Sequence, residues 1–442
     1  MSKYKPYPAY KDSGVEWIGE VPEHWSVKRI EHIAFTHREN ITAEVLNSYE
    51  VLHYSIPSVQ ETGAGTVELG TTIDSNKLVV SCEQVLISKL NPRKGTVVIA
   101  KKDPDRFTVA STEFVPLIPK YGESISKFIA SMVASAPFKQ LIESRVESVT
   151  RSHQRVSPDE ILKARVTIPP FEEQIAIAAA IDRETARIDA LIDKKTQFIA
   201  LLKEKRQALI THAVTKGLDP NVKMKDSGVE WIGKVPEGWN VLRVARLGVL
   251  NKSNGGTKQD NIDYGVPCVR YGDLYTKHNY FIRQTSTFIA DSSVTDYTSI
   301  RYGDVLFASS GETFEDIGKS AVNLISGVTC CGGDVIVLRP LANNDPLFLG
   351  YALDCSLSRA QKAGMGKGYT VIHVYVEQLR NLMVTIPSQK EQEVIAAYLD
   401  SETARIDTLI TKTQLSIDLL KERRSAFITA AVTGKIDLRE SK

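Results

Sequence analysis

The same fifteen-residue phrase occurs twice in this chain of 442 residues. Residues 11 to 25 read KDSGVEWIGEVPEHW and residues 225 to 239 read KDSGVEWIGKVPEGW, 214 positions further along the chain. The copies differ only where Glu20 and His24 are replaced by Lys234 and Gly238. Near-identity over this length is far beyond chance, so the repeat predicts a chain built from two copies of one structural unit.

A longer repeat follows each copy of the phrase. Residues 168 to 218 align without gaps on residues 386 to 436, an offset of 218, and both segments contain EQ, ETARID, LLKE and AVT. The repeated units therefore run from about 11 to 215 and from about 225 to 433. Two constant segments that enclose a variable one are the organisation that the sequence predicts.

The enclosed segments, 26 to 165 and 240 to 385, show little resemblance to each other. Both combine short β-rich runs, such as VLISKL and GDVLFASS, with helical patches, which predicts mixed α+β domains of normal size. The predicted boundaries are a repeat phrase at 1–25, a first domain at 26–165, a central region with a long helix at 166–225, a second phrase at 226–239, a second domain at 240–385 and a C-terminal long helix at 386–442.

Each constant region after the inserts is predicted as one long helix. Pro169 and Pro170 favour a helix start in the first copy, and Ser388 with Glu391 forms a capping box in the second. Gly217 and a glycine at 434 mark the ends. Some forty residues without Pro or Gly at about 1.5 Å rise give helices of roughly 60 Å.

Apolar residues recur along both helices at spacings of three and four, which makes one apolar stripe on each. Two unrelated amphipathic helices are one interpretation; the shared register favours an intramolecular antiparallel coiled coil, with Lys195 and Thr413 at equivalent polar interruptions. The predicted seam comprises Ile181, Ile188, Ile192, Ile199, Leu202, Leu209, Leu399, Ile406, Ile410, Ile417, Leu420 and Phe427. Leu191, Phe198 and Leu409 also belong to the stripes.

The composition, 42 % apolar and 24 % charged, is that of a globular protein, and we expect a cytoplasmic one without membrane association. A net charge of +2 leaves room for a local basic groove. The five cysteines form no CxxC, which favours small buried side chains over a metal site. All four tryptophans lie in the repeated phrases. They are predicted to pack each domain against the constant regions, and binding a partner is the alternative role.

The ordered combination DSGVEWIGEVPEHW, IPPFEEQ, ETARID and LLKEKRQALITHAVT, followed by a second cycle, resembles the specificity subunit of type I restriction-modification enzymes. The resemblance covers essentially the whole chain. It implies that 26–165 and 240–385 are target recognition domains, each reading one half of a bipartite, asymmetric site in double-stranded DNA. It also implies that the constant helices hold these domains apart and bind the partner subunits.

The partners implied by the resemblance are two modification (methyltransferase) subunits, which methylate adenine, and two restriction or translocase subunits. This chain would be a non-catalytic subunit with no cofactor of its own. S-adenosylmethionine, and ATP with Mg where a cleavage subunit is present, would be bound by the partners. A non-catalytic adaptor or RNA-binding scaffold is the alternative function.

Three short motifs resemble enzyme signatures but lack what the chemistry requires. IPPF (168 to 171) has Ile168 where adenine methyltransferases need a hydrogen-bonding residue for the flipped base. GETFEDIGKS (311 to 320) separates its glycines by six residues instead of four, so we interpret GKS as part of a hairpin turn rather than a phosphate loop. GMGKGY (364 to 369) lacks the strand and helix of a dinucleotide site and is interpreted as a basic loop.

Loops rich in forked donors, or in donor and acceptor pairs, are the candidates for DNA contact. A solvated surface loop is the alternative for each. The candidate residues are Lys89, Asn91, Arg93, Lys94, Arg151, Ser152, His153, Gln154 and Arg155 in the first domain, and Lys252, Ser253, Asn254, Thr257, Lys258, Arg270, Tyr271, Lys362, Lys367 and Tyr369 in the second.

Overall fold

A computed structural model describes residues 4–146 and 154–439 of the chain. The chain divides into two compact units, the first formed by Met1–Lys195 with Leu415–Lys442 and the second by Thr196–Gln414. Each unit contains one repeat phrase, one variable domain and one segment of each long helix.

Unit 1 contains thirteen strands and seven helices in its described residues. The strands are β1 Tyr10–Asp12, β2 Glu20–Pro22, β3 Ser26–Arg29, β4 Ala34–Phe35, β5 Asn40–Ile41, β6 Glu50–Tyr54, β7 Thr66–Leu69, β8 Lys77–Val79, β9 Gln84–Ser88, β10 Val97–Ala100, β11 Phe107–Ser111, β12 Phe114–Pro119 and β13 Arg165–Ile168. The helices are α1 Ile30–Ile33, α2 Ala43–Leu46, α3 Ile56–Thr62, α4 Ser126–Val133, α5 Ala136–Glu143, α6 Pro158–Leu162 and α7 Phe171–Lys216, whose second part belongs to unit 2.

The first variable domain is built on two small sheets. One has the strand order β10-β9-β12-β4, all antiparallel; the other has the order β5-β8-β11-β6-β7, in which only the β11–β6 pair is parallel. The core beneath the first sheet is mostly aliphatic and includes the fully buried Phe128 and Phe138. Burial of the alternate strand residues on this core fixes the register of the sheet.

Unit 2 continues the numbering with fifteen strands and five helices. The strands are β14 Met224–Asp226, β15 Lys234–Pro236, β16 Asn240–Arg243, β17 Gly248–Lys252, β18 Val266–Val269, β19 Tyr280–Ile282, β20 Phe288–Ile289, β21 Thr298–Ile300, β22 Val305–Ala308, β23 Ser310–Gly311, β24 Ser320–Asn323, β25 Thr329–Cys331, β26 Val335–Pro340, β27 Ile372–His373 and β28 Met383–Ile386. The helices are α8 Tyr271–Thr276, α9 Pro346–Asp354, α10 Ser356–Met365, α11 Val376–Leu379 and α12 Gln389–Val432, whose last part belongs to unit 1.

The second variable domain also carries one five-stranded and one four-stranded sheet, with the orders β17-β26-β22-β24-β19 and β20-β18-β25-β21. The β19–β24 and β18–β25 pairs are parallel and the others antiparallel. A short β23–β27 ladder is added at the side. Both inserts are therefore mixed α/β domains, as predicted.

The constant regions form the same structure in both units. The phrase makes a hairpin, β1–β2 or β14–β15, and continues into a strand that pairs with the strand before the long helix, β3 with β13 or β16 with β28. The Thr167 hydroxyl donates to the Val432 carbonyl at 2.6 Å, and the Thr385 hydroxyl donates to the Val214 carbonyl. Each of these pairs joins the start of one long helix to the end of the other, at the repeat offset of 218.

Both long helices begin and end where the sequence predicts. α7 starts directly after Pro170, and the Ser388 hydroxyl accepts from the Glu391 N–H at 3.4 Å before α12. Instead of completing the capping box, the Glu391 carboxylate accepts from the Trp239 indole at 3.0 Å. Gly217 and Gly434 follow the last turns with φ of 77° and 71°, in the left-handed region that favours glycine.

The two helices run antiparallel in each unit. In unit 1, Thr167 before α7 meets the end of α12 at Val432, and Asp189 further along α7 lies 2.9 Å from Arg424. In unit 2, the equivalent pair is Asp407 on α12 and Arg206 on α7, 2.6 Å apart. The predicted fold class, two mixed domains with two long antiparallel helices, is confirmed.

Every predicted seam residue is buried or half-buried in the structure. Buried seam residues are Ile181, Ile188, Leu202, Leu399, Ile406, Ile417 and Phe427, and half-buried ones are Ile192, Ile199, Leu209, Ile410 and Leu420. Leu191, Phe198 and Leu409 are at least 40 % exposed, so they belong to a different helix face. Thr413 is buried and its hydroxyl donates to the Leu409 carbonyl of its own helix.

Candidate nucleic-acid interface

Two predicted loops of the first domain come together in unit 1. The Asn91 N–H donates to the Gln154 carbonyl at 2.7 Å, and the Val156 N–H donates to the Lys89 carbonyl at 3.0 Å. Asn91 has a φ of 49°, which turns the chain into the 3₁₀ turn Pro92–Lys94. The turn and the segment before α6 therefore form one continuous surface.

Arg93, Lys94 and Arg155 are exposed on this surface, while Lys89, Asn91 and Gln154 are half-buried. Lys94 donates to the Gln60 amide oxygen at 3.0 Å, and Arg155 donates two hydrogen bonds to Glu113, so its fork is occupied. Among the described residues Arg93 forms no ion pair. The predicted residues Arg151, Ser152 and His153 lie outside the described part of the chain.

The equivalent surface of the second domain is formed by different residues. The Val374 N–H donates to the Ser309 carbonyl at 2.9 Å, which repeats the Val156–Lys89 contact. Lys367 and Tyr369, both exposed, lie in the loop before β27, and the Lys367 N–H donates to the His373 carbonyl. The imidazole Nδ1 of His373 lies 3.0 Å from the Ser310 hydroxyl.

The turn that corresponds to the basic turn Pro92–Lys94 is acidic. Residues 312 to 316 read ETFED and are all exposed, between β23 and Ile317. The following GKS enters β24, and the Lys319 ammonium donates to the Tyr275 carbonyl at 3.0 Å. Partial burial lowers the pKa of Lys319. The motif therefore ends a loop between strands and does not form a phosphate loop. Sequence reasoning did not assign these acidic residues to the interface.

Two further predicted loops of the second domain line one cleft of about 540 Å³. Gly255, Thr257 and Lys258 form one wall, and the segment from Arg270 to Asp273 at the start of α8 forms another. Lys252 and Asn254 are exposed beside it. Sequence reasoning missed other residues that line the cleft, namely Asn261, Thr276, Lys277 and Thr287. Lys277 could have been found from its i, i+4 spacing to Asp273, with which it forms a 2.7 Å ion pair.

The prediction of Lys362 as a DNA contact is wrong, because its side chain is wholly buried. Its ammonium lies 3.0 Å from an Asp354 oxygen and donates to the Leu353 carbonyl and the Ser320 hydroxyl. Burial lowers the pKa of Lys362, although Asp354 opposes that shift. Lys362 is a structural residue of the domain core.

Two more predicted contacts have their polar groups engaged internally. Ser253 is buried, and its hydroxyl lies 2.7 Å and 2.8 Å from the carbonyls of Gly332 and Val335. The Arg270 guanidinium donates to the carbonyls of Gly256 and Thr257. Neither side chain is positioned to read a base edge, because its hydrogen-bonding groups hold loops together.

The described residues contain no group of three or more His, Cys, Asp or Glu side chains that could hold a metal ion. Within the same residues, no helix is both long and apolar enough to cross a membrane. Cys82 is exposed, and the other four cysteines are buried.

Comparison with known proteins assigns a class to this architecture. The family model for the type I restriction modification DNA specificity domain matches residues 236–418. The MjaX type I restriction enzyme specificity subunit of Methanocaldococcus jannaschii is 20 % identical over 438 residues, covering 95 % of both chains. The EcoKI specificity subunit of Escherichia coli is 25 % identical over 208 residues, which span 46 % of this chain and 44 % of that subunit.

Two solved structures share the fold. One is a chain from a structure described as the structural basis of complex assembly and conformational transition of the type I R-M system. It superposes on this chain with a TM-score of 0.72 at 17 % identity, covering 94 % of this chain and 99 % of that one. The HsdS subunit from Thermoanaerobacter tengcongensis gives a TM-score of 0.53 at 17 % identity, with coverage of 94 % and 98 %. Residues 236–418 thus match the type I restriction modification DNA specificity domain, and 95 % of the chain is similar to a type I restriction enzyme specificity subunit.

Proposed function

We propose that this chain gives a type I restriction-modification complex its DNA sequence specificity, with each variable domain reading one half of a bipartite, asymmetric site. The observation that carries the proposal is the repeated constant structure. Trp25 with Glu173 and Trp239 with Glu391 form the same contact in two units, while the loops exposed by the two domains differ in charge. Two variable domains that differ in sequence, each held by the same constant structure, suit an asymmetric DNA site.

The chemistry of the exposed loops supports DNA reading. Arg93 and Lys94 offer cationic donors, which pair with guanine edges and phosphates. The acidic loop at 312 to 316 offers carboxylates, which accept from the cytosine amino group. Opposite loop charges at equivalent positions would give the two half-sites different bases. An RNA-binding scaffold would not require the same constant structure in both units.

Two modification subunits are the proposed partners, because each unit exposes an equivalent pair of leucines on the long helices. Unit 1 exposes Leu191 and Leu419, and unit 2 exposes Leu409 and Leu201, all 40–61 % accessible. Leu409 and Leu419 lie 218 positions after Leu191 and Leu201, the repeat offset. Large apolar side chains exposed at repeated positions are typical of interfaces with copies of one partner.

The proposal makes this chain non-catalytic, with adenine methylation and DNA cleavage performed by the partners. We expect the isolated chain to show no saturable binding of S-adenosylmethionine or ATP by titration calorimetry. The modification subunit assayed in parallel serves as the positive control. Saturable binding by this chain alone would contradict the proposal.

Domain exchange tests the reading function directly. The second domain is transferred as residues 240–386, so that β16 and its partner β28 move together and their hydrogen bonds are kept. Methylome sequencing of cells that carry the hybrid complex should show one half of the methylated motif changed and the other half unchanged. A change in both halves, or in neither, would refute independent reading by the two domains.

The reciprocal exchange is the matched control. Transfer of residues 26–168 moves β3 and β13 together in the same way, and it should change only the other half-site. Comparison of the two hybrids assigns each half of the motif to its domain.

A further inference from the structure

We propose that the cleft beside α8 in the second domain holds one backbone phosphate of the bound DNA. This inference rests on the proposed function and adds a site to it. Arg270 lines the cleft and is only 9 % exposed. Its guanidinium contacts four oxygens, of Gly256, Thr257, Asn261 and Tyr297, and all four belong to uncharged groups.

The positive charge of Arg270 is therefore not neutralised by direct contact. Among the residues that the structure describes, no carboxylate lies within ion-pair distance of its guanidinium, and the buried Nε donor has no hydrogen-bond partner. A buried charge without a counter-charge is costly for a fold, and arginine pairs strongly with phosphate. An anion in the cleft would supply the missing charge.

The other side chains around the cleft fit an anion. Asp273, its most buried carboxylate, is neutralised by Lys277 at 2.7 Å and accepts hydrogen bonds from the Arg270 N–H and the Thr287 hydroxyl. Lys258, in the opposite wall, is exposed and forms no ion pair within the described chain. Asp334 at the rim is the remaining carboxylate of the lining, and it is exposed to solvent. Asp260, behind the glycine loop, accepts from the Tyr297 hydroxyl and the Thr257 N–H.

Glycines shape the wall that carries Lys258. A Cβ on Gly255 would lie 2.7 Å from the Gly332 backbone, and one on Gly256 would lie 1.9 Å from an Asp260 oxygen. Gly255 therefore needs glycine for the loop to approach its neighbouring backbone closely, and a side chain at Gly256 would displace the Asp260 carboxylate. The loop is held at a fixed distance from Arg270, which prepares the cleft before a ligand binds.

A phosphate contact and a base contact give different experimental signatures. A phosphate contact adds about 0.9 to the slope of the logarithm of affinity against the logarithm of salt concentration, and it carries no sequence information. The complex of the full chain with its modification subunits is titrated with duplex DNA containing its motif at several salt concentrations. Lys258→Gln is the primary variant, because Arg270 also holds the loop and its replacement could disturb the fold.

We expect Lys258→Gln to weaken binding at low salt and to reduce the salt slope by about 1, with the methylated motif unchanged. Lys225→Gln, on the exposed β14 strand away from the cleft, is the control and should keep the wild-type slope. A wild-type slope in Lys258→Gln, or a changed motif, overturns the phosphate assignment. If the wild-type complex does not bind DNA containing its motif more tightly than other DNA, the proposed function itself is contradicted.

Free anions are tested separately. Inorganic phosphate and a nucleoside monophosphate are titrated into the complex without DNA at fixed ionic strength. Weak, non-saturating binding supports a site for a backbone phosphate that the duplex positions. Tight binding of the free anion that Lys258→Gln abolishes, and that DNA does not displace, would overturn the proposal in favour of a small-anion site.

Discussion

Single carboxylates anchor the repeated phrases to the long helices. Glu173 is buried and accepts from the Tyr7 hydroxyl at 2.6 Å and from the Trp25 indole at 3.0 Å, and it lies 2.8 Å from the His24 ring. Burial and this hydrogen bond to Glu173 raise the pKa of the Tyr7 hydroxyl. Its counterpart Glu391 is half-buried and accepts from Trp239. The two copies thus use the same carboxylate with different numbers of donors.

We predict that Glu173→Ala destabilises the protein more than Glu391→Ala does. Loss of Glu173 leaves two buried donors, the Tyr7 hydroxyl and the Trp25 indole, without an acceptor, at about 1–3 kcal/mol each, so a total of about 3 kcal/mol is expected. Glu391→Ala leaves only the Trp239 indole N–H without an acceptor and should lower the free energy of unfolding by about 1 kcal/mol. Urea unfolding of both variants measures the difference, and equal losses would contradict the reading of these contacts.

Thiol chemistry offers a second test at this scale. Burial raises the pKa of Cys268 to about 11 and that of Cys331 to about 12, and it also raises the pKa of Cys330 and Cys355. A raised thiol pKa leaves almost no reactive thiolate at pH 8. Only the exposed Cys82 should then react rapidly with a disulfide reagent in the native protein.

The control for this prediction is Cys82→Ser, which should remove the rapid reaction completely. All remaining thiols should react once the protein is unfolded in denaturant. Rapid reaction of Cys268, Cys330 or Cys331 in the native protein would contradict the prediction and would show that the sheet β20-β18-β25-β21 opens locally.

Side-chain roles were only partly predictable from the sequence. The Trp and Glu of the repeated motifs could be chosen because they recur at equivalent positions. Lys362 could not be recognised as a core residue, because its burial depends on Asp354 in α9 and on Ser320 in β24, forty-two positions earlier in the chain. A lysine beside glycines looks like a surface loop until its distant partners are known.

At the scale of elements, the long helices were the most predictable feature. An apolar period of three and four, with Pro at the start and Gly at the end, specifies a helix locally, and all of these signals lie within one segment. The apolar spacing alone, however, did not show which apolar residues face the other helix and which face solvent. Leu201 and Leu202 are adjacent in the sequence, yet Leu201 is 61 % exposed and Leu202 is 7 % exposed.

This pair gives a matched test of the seam in unit 2. Leu202→Asp places a carboxylate without a partner in the apolar contact between the helices, so it should cost several kcal/mol of unfolding free energy. Leu201→Asp changes the same residue type on the exposed face and should cost less than about 0.5 kcal/mol. Denaturant unfolding compares the two, and similar losses would exclude Leu202 from the seam.

At the scale of the whole molecule, the compact units do not coincide with the sequence repeats. Each repeat, 11–215 or 225–433, includes a whole long helix, whereas each compact unit contains the start of one helix and the end of the other. Trp239 packs on Gly217 at the end of α7, and Trp25 lies 3.2 Å from a Cβ placed at Gly434. The antiparallel pairing predicted from the sequence already brings the end of each long helix to the start of the other, so this exchange follows from that prediction.

The exchange makes the two units equivalent, which leads to a prediction about assembly. Each unit contains one member of each equivalent leucine pair, Leu191 with Leu419 in unit 1 and Leu409 with Leu201 in unit 2. If one modification subunit binds each set, Leu191→Asp with Leu419→Asp should leave one bound subunit, and all four replacements should leave none. Native mass spectrometry of the co-expressed complex measures this stoichiometry.

The controls separate loss of binding from loss of folding. All four leucines are exposed, so the variants should unfold within about 1 kcal/mol of wild type, because surface replacements rarely cost more. The double variant of unit 2, Leu409→Asp with Leu201→Asp, should also retain one subunit, because the two faces are equivalent by the repeat. Loss of both subunits from either double variant would mean that binding at one unit requires the other, and retention of both would place the partner interface elsewhere on the chain.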